Sequence, residues 1–479
     1  MIFNSFDFLL FLPIVFVFFW SIPSKNILFR NLLLLFASYF FYSCWDFRFL
    51  TLLIFSTLLD FYLGNKIFEV KTINQKKIWL SVSVLINLSV LGLFKYFNFF
   101  SSSFVSLINH FGLHITPKLL ELIMPIGISF YTFHGLSYVF DIYNRKIEPE
   151  KSVVNYSLFV SFFPLLVAGP IERAAHLLPQ LKTEKKFNYI QATKGLRQIL
   201  WGLFKKIVIA DNCAVYVDQI YNYESGQNGV SLLFASILFA FQIYGDFSGY
   251  SDIALGTARL FGVELIKNFS FPYFARDIAE FWRRWHISLT TWFRDYLYIP
   301  LGGSKAGMFR VVLNTFLIFI VSGFWHGANW TYIVWGVLNA FYFLPLLLLK
   351  RNRKHTGVIA ESTYYPSIKE LLQVIFTFTL VVLAWVFFRA PDLDTAFRIF
   401  QKIILFNTYQ SLTIYPQLRT VLLVIFMLII EWVYRKHNFA LETMDRVRIP
   451  VVRYIFYFVL IFMLFYFGAE EKQFIYFQF

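Results

Sequence analysis

Cysteine and formal charge are both scarce in this sequence. Of its 479 residues only two are cysteines, Cys44 and Cys213, and 15% are charged. The cysteines lie far apart and neither belongs to a CxxC pair, so nothing indicates a disulfide framework or a thiolate metal site. Because a soluble globular domain has roughly a quarter of its residues charged, the shortage of charge favours an integral membrane protein.

Acidic residues are the rarer charged type, 28 against 43 lysines and arginines, which gives a formal net charge of +15. A basic protein can bind nucleic acid, but these basic residues gather in short loops between apolar segments and form no long arm. Nucleic acid is therefore not expected as a partner, whereas the lipid bilayer is. The first apolar run, Phe6–Trp20, has no preceding lysine or arginine, so it lacks the positive region of a cleavable signal peptide and is expected to be retained as a span.

Long apolar runs are abundant. Hydrophobic residues make up 58% of the chain, phenylalanine alone occurs 63 times, and the mean hydropathy is +0.60. Runs such as Leu371–Phe388 and Tyr454–Phe467 approach or reach the ~20 residues that cross a bilayer as a helix. The composition predicts one all-α polytopic membrane domain over residues 1–479, with ten to twelve crossings.

Basic residues alternate between loops in a way that predicts the topology. Lysines follow the third span between Lys66 and Lys77, and the loop Lys350–Lys354 reads KRNRK, whereas Asn98–Pro117 has no formal charge. Basic loops stay in the cytoplasm, so both termini are expected outside it. Residues 470–479 would then form an extracytoplasmic aromatic tail.

The middle of the chain is harder to divide into spans. Pro125–Gly127, Pro164 and Gly169–Pro170 interrupt apolar segments, either as broken or re-entrant segments that line a cavity or simply because membrane helices are rich in glycine and proline. Gly202–Ala210 is predicted to be an interfacial helix whose lysines reach toward lipid headgroups. Asn268–Trp292 is too charged to span, and either lies along the interface or folds against other helices.

A histidine, His326, follows the apolar run Val311–Phe324 within the string GFWHGANW. An ionisable residue at membrane depth is costly and is by default a functional hypothesis. A neutral imidazole in a dry pocket is a good general base, and the small neighbours Gly323 and Gly327 are expected to let a substrate approach the ring. An isolated histidine of this kind, however, more often joins two helices by a hydrogen bond.

A second histidine, His286, lies in the string EFWRRWHISL. A helix would place it on one face with Trp282 and Arg283, at spacings of four and three. Arg283 and Arg284 are candidates to hold the phosphates of an anionic donor, because guanidinium groups bind phosphate in a bidentate manner. The alternative is anchoring of the interface by arginine and tryptophan, which is common at membrane borders.

Two aspartates, Asp246 and Asp252, lie in apolar surroundings in the string DFSGYSDIALGTAR. Buried carboxylates need partners, and Arg259 or Arg283 could supply them. No tight ligand cluster accompanies them, so structural ion pairs are expected and a metal site is not.

The chain closes with the aromatic string FIYFQF, Phe474–Phe479, after a polar break. Such a terminus could be an interfacial aromatic belt, or it could dip back into a cavity. Tyr476 carries the only hydroxyl group in it.

Together these strings resemble the membrane-bound O-acyltransferase superfamily, in the branch of bacterial alginate O-acetylases and peptidoglycan O-acetyltransferases. Besides both histidine motifs, the resemblance is carried by PIGISFYTFHGLSYVFDIYNRK (Pro125–Lys146), VAGPIERAAHLLPQL (Val167–Leu181), GLFKKIVIADN (Gly202–Asn212), DFSGYSDIALGTARLFGVEL (Asp246–Leu265) and WVFFRAPDLDTA (Trp385–Ala396). One departure is Gly245, where a bulky aromatic residue is expected in this family.

The resemblance implies a fold and a function. His326 matches the family's essential histidine and His286 its second histidine. The fold would be a ring of helices, with re-entrant or interfacial segments, around a catalytic channel in the bacterial inner membrane. Acetyl-CoA or a similar thioester would be the cytoplasmic donor, with no bound cofactor. The aromatic tail would receive the acyl group on Tyr476, and a periplasmic esterase-like partner with a Ser-His-Asp triad would pass it to a polysaccharide such as alginate or peptidoglycan.

These expectations define a catalytic hypothesis. His326 would remove the proton from the Tyr476 phenol, which ionises near pH ~10 and needs a base at neutral pH. Trp325, Asn329 or Trp330 could donate hydrogen bonds to the oxyanion.

Two other functions are compatible with the composition. A transporter that flips an acylated carrier or a lipid-linked sugar would be expected to have repeated halves and acidic residues near mid-membrane, and no repeat is evident in the sequence. An assembly platform without activity would tolerate loss of His326.

Overall fold

The structure is a computed structural model that describes residues 1–167, 169–305, 307–405, 413–468 and 474–475. Within these ranges every regular element is a helix and no strand occurs. The prediction of an all-α polytopic membrane protein is therefore confirmed.

The chain divides into two compact units, Met1–Ala192 with Ala258–Leu265, and Thr193–Thr257 with Ile266–Phe479. In chain order the α-helices are α1 Phe6–Ser21, α2 Ile27–Ser43, α3 Phe47–Glu69, α4 Ile73–Leu91, α5 Phe97–His110, α6 Ile128–Tyr143, α7 Val153–Ser161, α8 Phe163–Leu166, α9 Ala174–Leu181, α10 Tyr189–Leu203, α11 Asp211–Tyr221, α12 Gly229–Leu260, α13 Ile278–Arg284, α14 Ile287–Phe293, α15 Met308–His326, α16 Trp330–Leu348, α17 Ile368–Arg389, α18 Leu393–Ile404, α19 Leu418–Val433 and α20 Pro450–Tyr466. Whether the two units act as the single domain expected from the sequence stays a prediction.

Six helical segments among the described residues are long and apolar enough to cross a membrane: Phe47–Glu69, Ile73–His110, Gly229–Leu260, Met308–His326, Trp330–Leu348 and Ile368–Arg389. Helices α1, α2 and α20 are shorter apolar helices. Helices α1, α15, α17 and α20 coincide with the apolar runs Phe6–Trp20, Val311–Phe324, Leu371–Phe388 and Tyr454–Phe467 of the sequence. An apolar run in lipid can satisfy its backbone polar groups only by coiling into a helix. The number of crossings and the side of each terminus stay predictions.

In the first unit, helices α3, α4, α6 and α7 pack against one another. Asp60 of α3 is buried and accepts hydrogen bonds from Ser83 (2.9 Å) and Asn87 (2.8 Å) of α4, which compensates part of the cost of burying a carboxyl group. Gly127, the N-cap of α6, has a φ of +74°, and a side chain there would collide with the carbonyl oxygen of Leu166. The region that was hard to divide into spans thus contains the short helices α7, α8 and α9, with Pro164 in the first turn of α8.

In the second unit, a π-helical segment, Phe204–Ala210, joins α10 to α11. The segment contains Lys205 and Lys206, both buried, so the prediction of an interfacial helix with lysines reaching for headgroups is wrong. The lysines instead meet carboxylates on the neighbouring α12.

Glycines permit the close approach of α12 to the end of α10 and to the π-helical segment. A side chain at Gly249 would lie 2.8 Å from the carbonyl oxygen of Gly202, and one at Gly245 would lie 2.8 Å from that of Lys205. The glycine at position 245, unexpected from the family pattern, is therefore required by the local packing.

Candidate active site

His286 lies between two short helices, α13 and α14. The first ends at Arg284, and His286 itself has a left-handed backbone with a φ of +43°. The expected single helical face that would join Trp282, Arg283 and His286 is therefore wrong. Non-glycine residues adopt this conformation rarely, and it turns the chain so that the imidazole is buried, with 1% of the residue exposed.

Aromatic rings surround the His286 imidazole. The ring of Phe247 stands edge-on with its centroid 4.6 Å away, and that of Trp325 lies at 5.8 Å. Neither ring nitrogen has a hydrogen-bond partner within the described part of the chain. Burial lowers the pKa of His286 from 6.5 to about 3, because a charged imidazolium would lose its hydration there. The ring is consequently neutral across the physiological pH range.

His326 is the last residue of α15 and is 3% exposed. Its ring contacts those of Trp335 at 5.2 Å and Phe388 at 5.3 Å, and its centroid lies 6.4 Å from that of His286. The two histidine motifs, read separately in the sequence, thus come together in the aromatic core of the second unit.

The glycines beside His326 do not leave room for a substrate. A side chain at Gly323 would collide with the carbonyl oxygen of Tyr332, and one at Gly327 would collide with the Tyr332 ring. The expectation of a substrate passage at these glycines is wrong, because α16 occupies the space. Close packing of α15 on α16 instead fixes the end of the helix that presents His326.

The three candidate oxyanion donors differ in position. Trp325 is buried, and its ring contacts both His286 and His326. Asn329 caps α16 by accepting a hydrogen bond from the Thr331 amide, and it donates to the Pro391 carbonyl oxygen at 2.7 Å. Trp330, by contrast, is 51% exposed. Stabilisation of an oxyanion by any of the three stays a prediction.

Arg283 and Arg284 hold a loop. Arg283 donates to the carbonyl oxygens of Asn352 at 2.7 Å and His355 at 2.6 Å. Arg284 pairs with Glu280 at 2.8 Å and donates to the Gly357 carbonyl oxygen at 3.0 Å. These contacts order the loop after α16, and phosphate binding by the two arginines stays a prediction.

An open cavity of about 600 Å³ lies against this loop. Its lining includes Arg276, Lys354, His355, Thr356, Ser362 and Glu370. Arg276 pairs with Glu280 at 3.0 Å and with Glu370 at 3.2 Å, so the segment Asn268–Trp292 satisfies its own charges by packing within the second unit. Of the two alternatives for that segment, this arrangement matches folding against other helices.

Lysines, not arginines, neutralise the two aspartates of α12. Lys205 pairs with Asp252 at 2.6 Å, and Lys206 pairs with Asp246 at 2.9 Å. The expectation that Arg259 or Arg283 would be the partner is wrong. Lysines inside the string GLFKKIVIA were a signal for these pairs, because buried ammonium groups require carboxylates as much as the reverse.

Lys206 also pairs with Asp211 at 2.7 Å. Burial by itself disfavours the charged ammonium, but the nearby Asp246 and Asp211 carboxylates outweigh it and raise the pKa of Lys206 above its ordinary value. The lysine therefore stays charged and fixes both carboxylates.

Part of the C-terminal tail is buried in the second unit. Phe474 is 0% exposed, and its ring lies 4.5 Å from that of Tyr250 and 6.1 Å from that of Phe247. Ile475 is buried beside it. Of the two alternatives for the tail, these residues match a return into the protein, whereas Tyr476 lies outside the described residues.

Known proteins of similar sequence indicate the family to which the chain belongs. The sequence profile of the membrane-bound O-acyltransferase family matches residues 148–389. The chain is 39% identical over 414 residues to the probable alginate O-acetylase AlgI of Pseudomonas aeruginosa, with 86% of this chain and 76% of that protein covered. It is 36% identical over 427 residues to the peptidoglycan O-acetyltransferase of Helicobacter pylori, with 83% and 78% covered. It is also 27% identical over 229 residues to the teichoic acid D-alanyltransferase of Bacillus subtilis, with 46% and 58% covered.

Helices that can span a membrane, two enclosed histidines and these similarities together define a multi-pass membrane enzyme that transfers acyl groups to oxygen. The chain belongs to the membrane-bound O-acyltransferase family, as its motifs indicated.

Proposed function

We propose that this protein transfers an acetyl group from a cytoplasmic thioester to its own C-terminal tail, for O-acetylation of an exported or cell-envelope polysaccharide. The observation that carries the proposal is the enclosure of His286 and His326, whose ring centroids lie 6.4 Å apart, close to Phe247, on which the Phe474 ring packs. A dry pocket strengthens the electrostatic and proton-transfer steps of acyl transfer. The whole chain, residues 1–479, would act as one catalytic domain in the bacterial inner membrane, with both termini outside the cytoplasm.

The donor would be acetyl-CoA, or a related thioester, and would enter from the side of the basic loop. The cavity beside Asn352–Gly357 has a size typical of small-molecule sites, and Lys354 and His355 in its lining can meet phosphate groups. Arg284 donates a hydrogen bond to this loop at Gly357, and it lies two residues before His286 in the sequence. This connection would hold the donor site at a fixed position relative to the histidine pocket.

In the transfer step, the phenol oxygen of Tyr476 attacks the thioester carbonyl carbon while His326 takes the phenol proton. The indole N–H of Trp325 would stabilise the oxyanion of the tetrahedral intermediate. Cleavage of the C–S bond releases the thiolate, to which His326 returns the proton. The products are an acetylated Tyr476 and a free thiol.

The acceptor would be a polysaccharide of the alginate or peptidoglycan type. The names of the Pseudomonas aeruginosa and Helicobacter pylori relatives support this choice. Release of acetyl from Tyr476 to the polysaccharide would use a periplasmic partner with a Ser-His-Asp triad, because the hydroxyl of a sugar needs its own activating base.

Peptide mass spectrometry of the purified protein after incubation with acetyl-CoA tests the proposal. An acetyl adduct on Tyr476 is expected, and His326→Ala should slow its formation on the order of a hundredfold or more. His110→Ala, at an exposed position, is the matched control and should behave like the native protein. Near-normal acetylation in His326→Ala, or acetyl-CoA turnover with a partner but with no Tyr476 adduct, would contradict it.

A further inference from the structure

A buried group of three charges lies where α11, α12 and the π-helical segment meet. The ammonium nitrogen of Lys206 lies 2.7 Å from Asp211 Oδ1 and 2.9 Å from Asp246 Oδ1. All three side chains are almost fully buried. Burying charges is expensive unless each is paired and hydrogen-bonded, so a group of this kind needs a structural or functional reason.

The second carboxylate oxygen of Asp246 binds the C-terminal tail. Asp246 Oδ2 accepts a hydrogen bond of 2.6 Å from the backbone N–H of Ile475, a residue of the C-terminal tail. A carboxylate that accepts from a backbone amide makes a charge-assisted bond, which is stronger than a neutral one. Because Lys206 holds the other oxygen, the direction of this acceptor is fixed.

Two further contacts hold the chain just before this bond. Asn212 donates a hydrogen bond of 2.7 Å to the carbonyl oxygen of Phe467, which follows α20. The Phe474 ring, next to Ile475, packs on Tyr250 and on Phe247, whose own ring lies 4.6 Å from the His286 ring. The anchor and the histidine pocket thus share the same stretch of α12.

We propose that Asp246 is a positioning residue for acyl transfer, because its carboxylate, fixed by Lys206 and Asp211, binds the backbone of Ile475 and sets the register of the aromatic tail beside His286. The proposal rests on the proposed function, in which the tail receives the acyl group. A bond to the backbone selects the position along the chain and not the identity of a side chain. It therefore fixes how far the tail reaches into the pocket.

The sharpest test removes the hydrogen-bond donor, the backbone N–H of Ile475, and leaves the three buried charges intact. Proline has no backbone N–H, so Ile475→Pro abolishes the bond to Asp246 without touching Asp246, Lys206 or Asp211. The rate of tail acetylation at saturating acetyl-CoA should fall about ten- to a hundredfold, while KM for acetyl-CoA stays unchanged, because misplacement of one reactant by about 1 Å costs up to that much. Ile475→Ala keeps the N–H and should retain a rate at least about tenfold above that of Ile475→Pro.

A second measurement does not depend on activity. Hydrogen–deuterium exchange of the C-terminal peptide, measured by mass spectrometry, should be faster in Asp246→Asn than in the native protein, since the amide side chain no longer holds Lys206 and Ile475 together. If no acetyl adduct forms in any variant but exchange accelerates, the anchor stands and the tail-acylation function fails. If exchange is unchanged in Asp246→Asn and Ile475→Pro acetylates at the native rate, the anchor is refuted.

Discussion

The imidazole rings of His286 and His326 lie with their centroids 6.4 Å apart, although one residue precedes α14 and the other ends α15. The Trp325 ring contacts both of them. This arrangement makes one aromatic enclosure out of two sequence motifs.

Trp325→Phe separates the indole N–H from the aromatic ring at this position. The phenyl ring keeps most of the packing on the two histidines, whereas the hydrogen-bond donor is lost. If the N–H stabilises the oxyanion, the maximal rate of acetyl transfer should fall about a hundredfold or more, with little change in thermal stability. Trp330→Phe, at an exposed position, is the matched control. Equal rates in the two variants would exclude Trp325 as the donor.

Acid should destabilise the protein through His286. Its pKa is about 3 in the folded state and near 6.5 when exposed, so below pH 6.5 the unfolded state takes up a proton that the folded state does not. The free energy of unfolding should therefore fall as pH falls, by roughly 1.4 kcal/mol per unit between these two pKa values for this one group.

Thermal unfolding in detergent at pH 7 and pH 5 measures this dependence. His286→Phe removes the titrating group and should show a smaller loss of stability on acidification than the native protein. His110→Phe serves as a control at an exposed position and should keep the native dependence. The same pH dependence in His286→Phe and the native protein would show that the imidazole is accessible to protons when folded.

Gly323→Ala should loosen the packing that presents His326. The added methyl group would meet the carbonyl oxygen of Tyr332, so α15 and α16 must separate, at a cost of about 1–3 kcal/mol in stability. A methyl group at Gly92 meets nothing within 4 Å, so Gly92→Ala is the matched control. Melting temperatures of the two variants test the difference. An unchanged melting temperature in Gly323→Ala would mean that the two helices are not packed this closely.

Glu280→Ala should be strongly destabilising. Its carboxylate is buried and pairs with both Arg276 and Arg284, so removing it takes a carboxylate from each guanidinium group, although Arg276 still pairs with Glu370. Breaking a buried pair in this way costs about 3–5 kcal/mol, whereas Glu69→Ala, which breaks an exposed pair with Lys66, should cost less than about 1 kcal/mol. Denaturation midpoints distinguish the two cases, and similar midpoints would contradict the network.

Cysteine labelling tests the topology. Cys44 and Cys213 are free and can be replaced by serine and alanine to give a background without thiols. In that background, Arg353→Cys should react with a membrane-impermeant maleimide only after permeabilisation, because its basic loop is expected in the cytoplasm. His114→Cys should react in intact spheroplasts. The reverse pattern would invert the topology and with it the donor side.

Much of the fold could be read from the sequence. Long apolar runs marked α1, α15, α17 and α20, since such a run can satisfy its backbone in lipid only as a helix. Both histidines were identified by their motifs. The tail's return into the protein was one of two open alternatives, because an aromatic string after a polar break fits either an interfacial belt or a cavity.

The errors about buried charges share one physical origin, which is that helix packing brings partners from distant parts of the sequence. Lys205 and Lys206 were placed at the interface as lysines within an apolar run, yet α12 brings Asp252 and Asp246 to them, in addition to the nearby Asp211. Likewise, the left-handed backbone of His286 breaks the helical spacing on which the sequence argument relied.

The sequence by itself therefore determined the class of protein, the positions of several apolar helices and the candidate catalytic residues, because hydropathy and motif spacing are properties of the chain in one dimension. The tertiary structure decided which of those residues meet. It placed two histidines in one enclosure, bound Arg283 to the loop after α16 through the carbonyl oxygen of Asn352, and joined Asp246 to the backbone of Ile475. These contacts depend on how helices distant in sequence pack. A buried charge is stable only when it is paired, so the packing decides which partner each charge has.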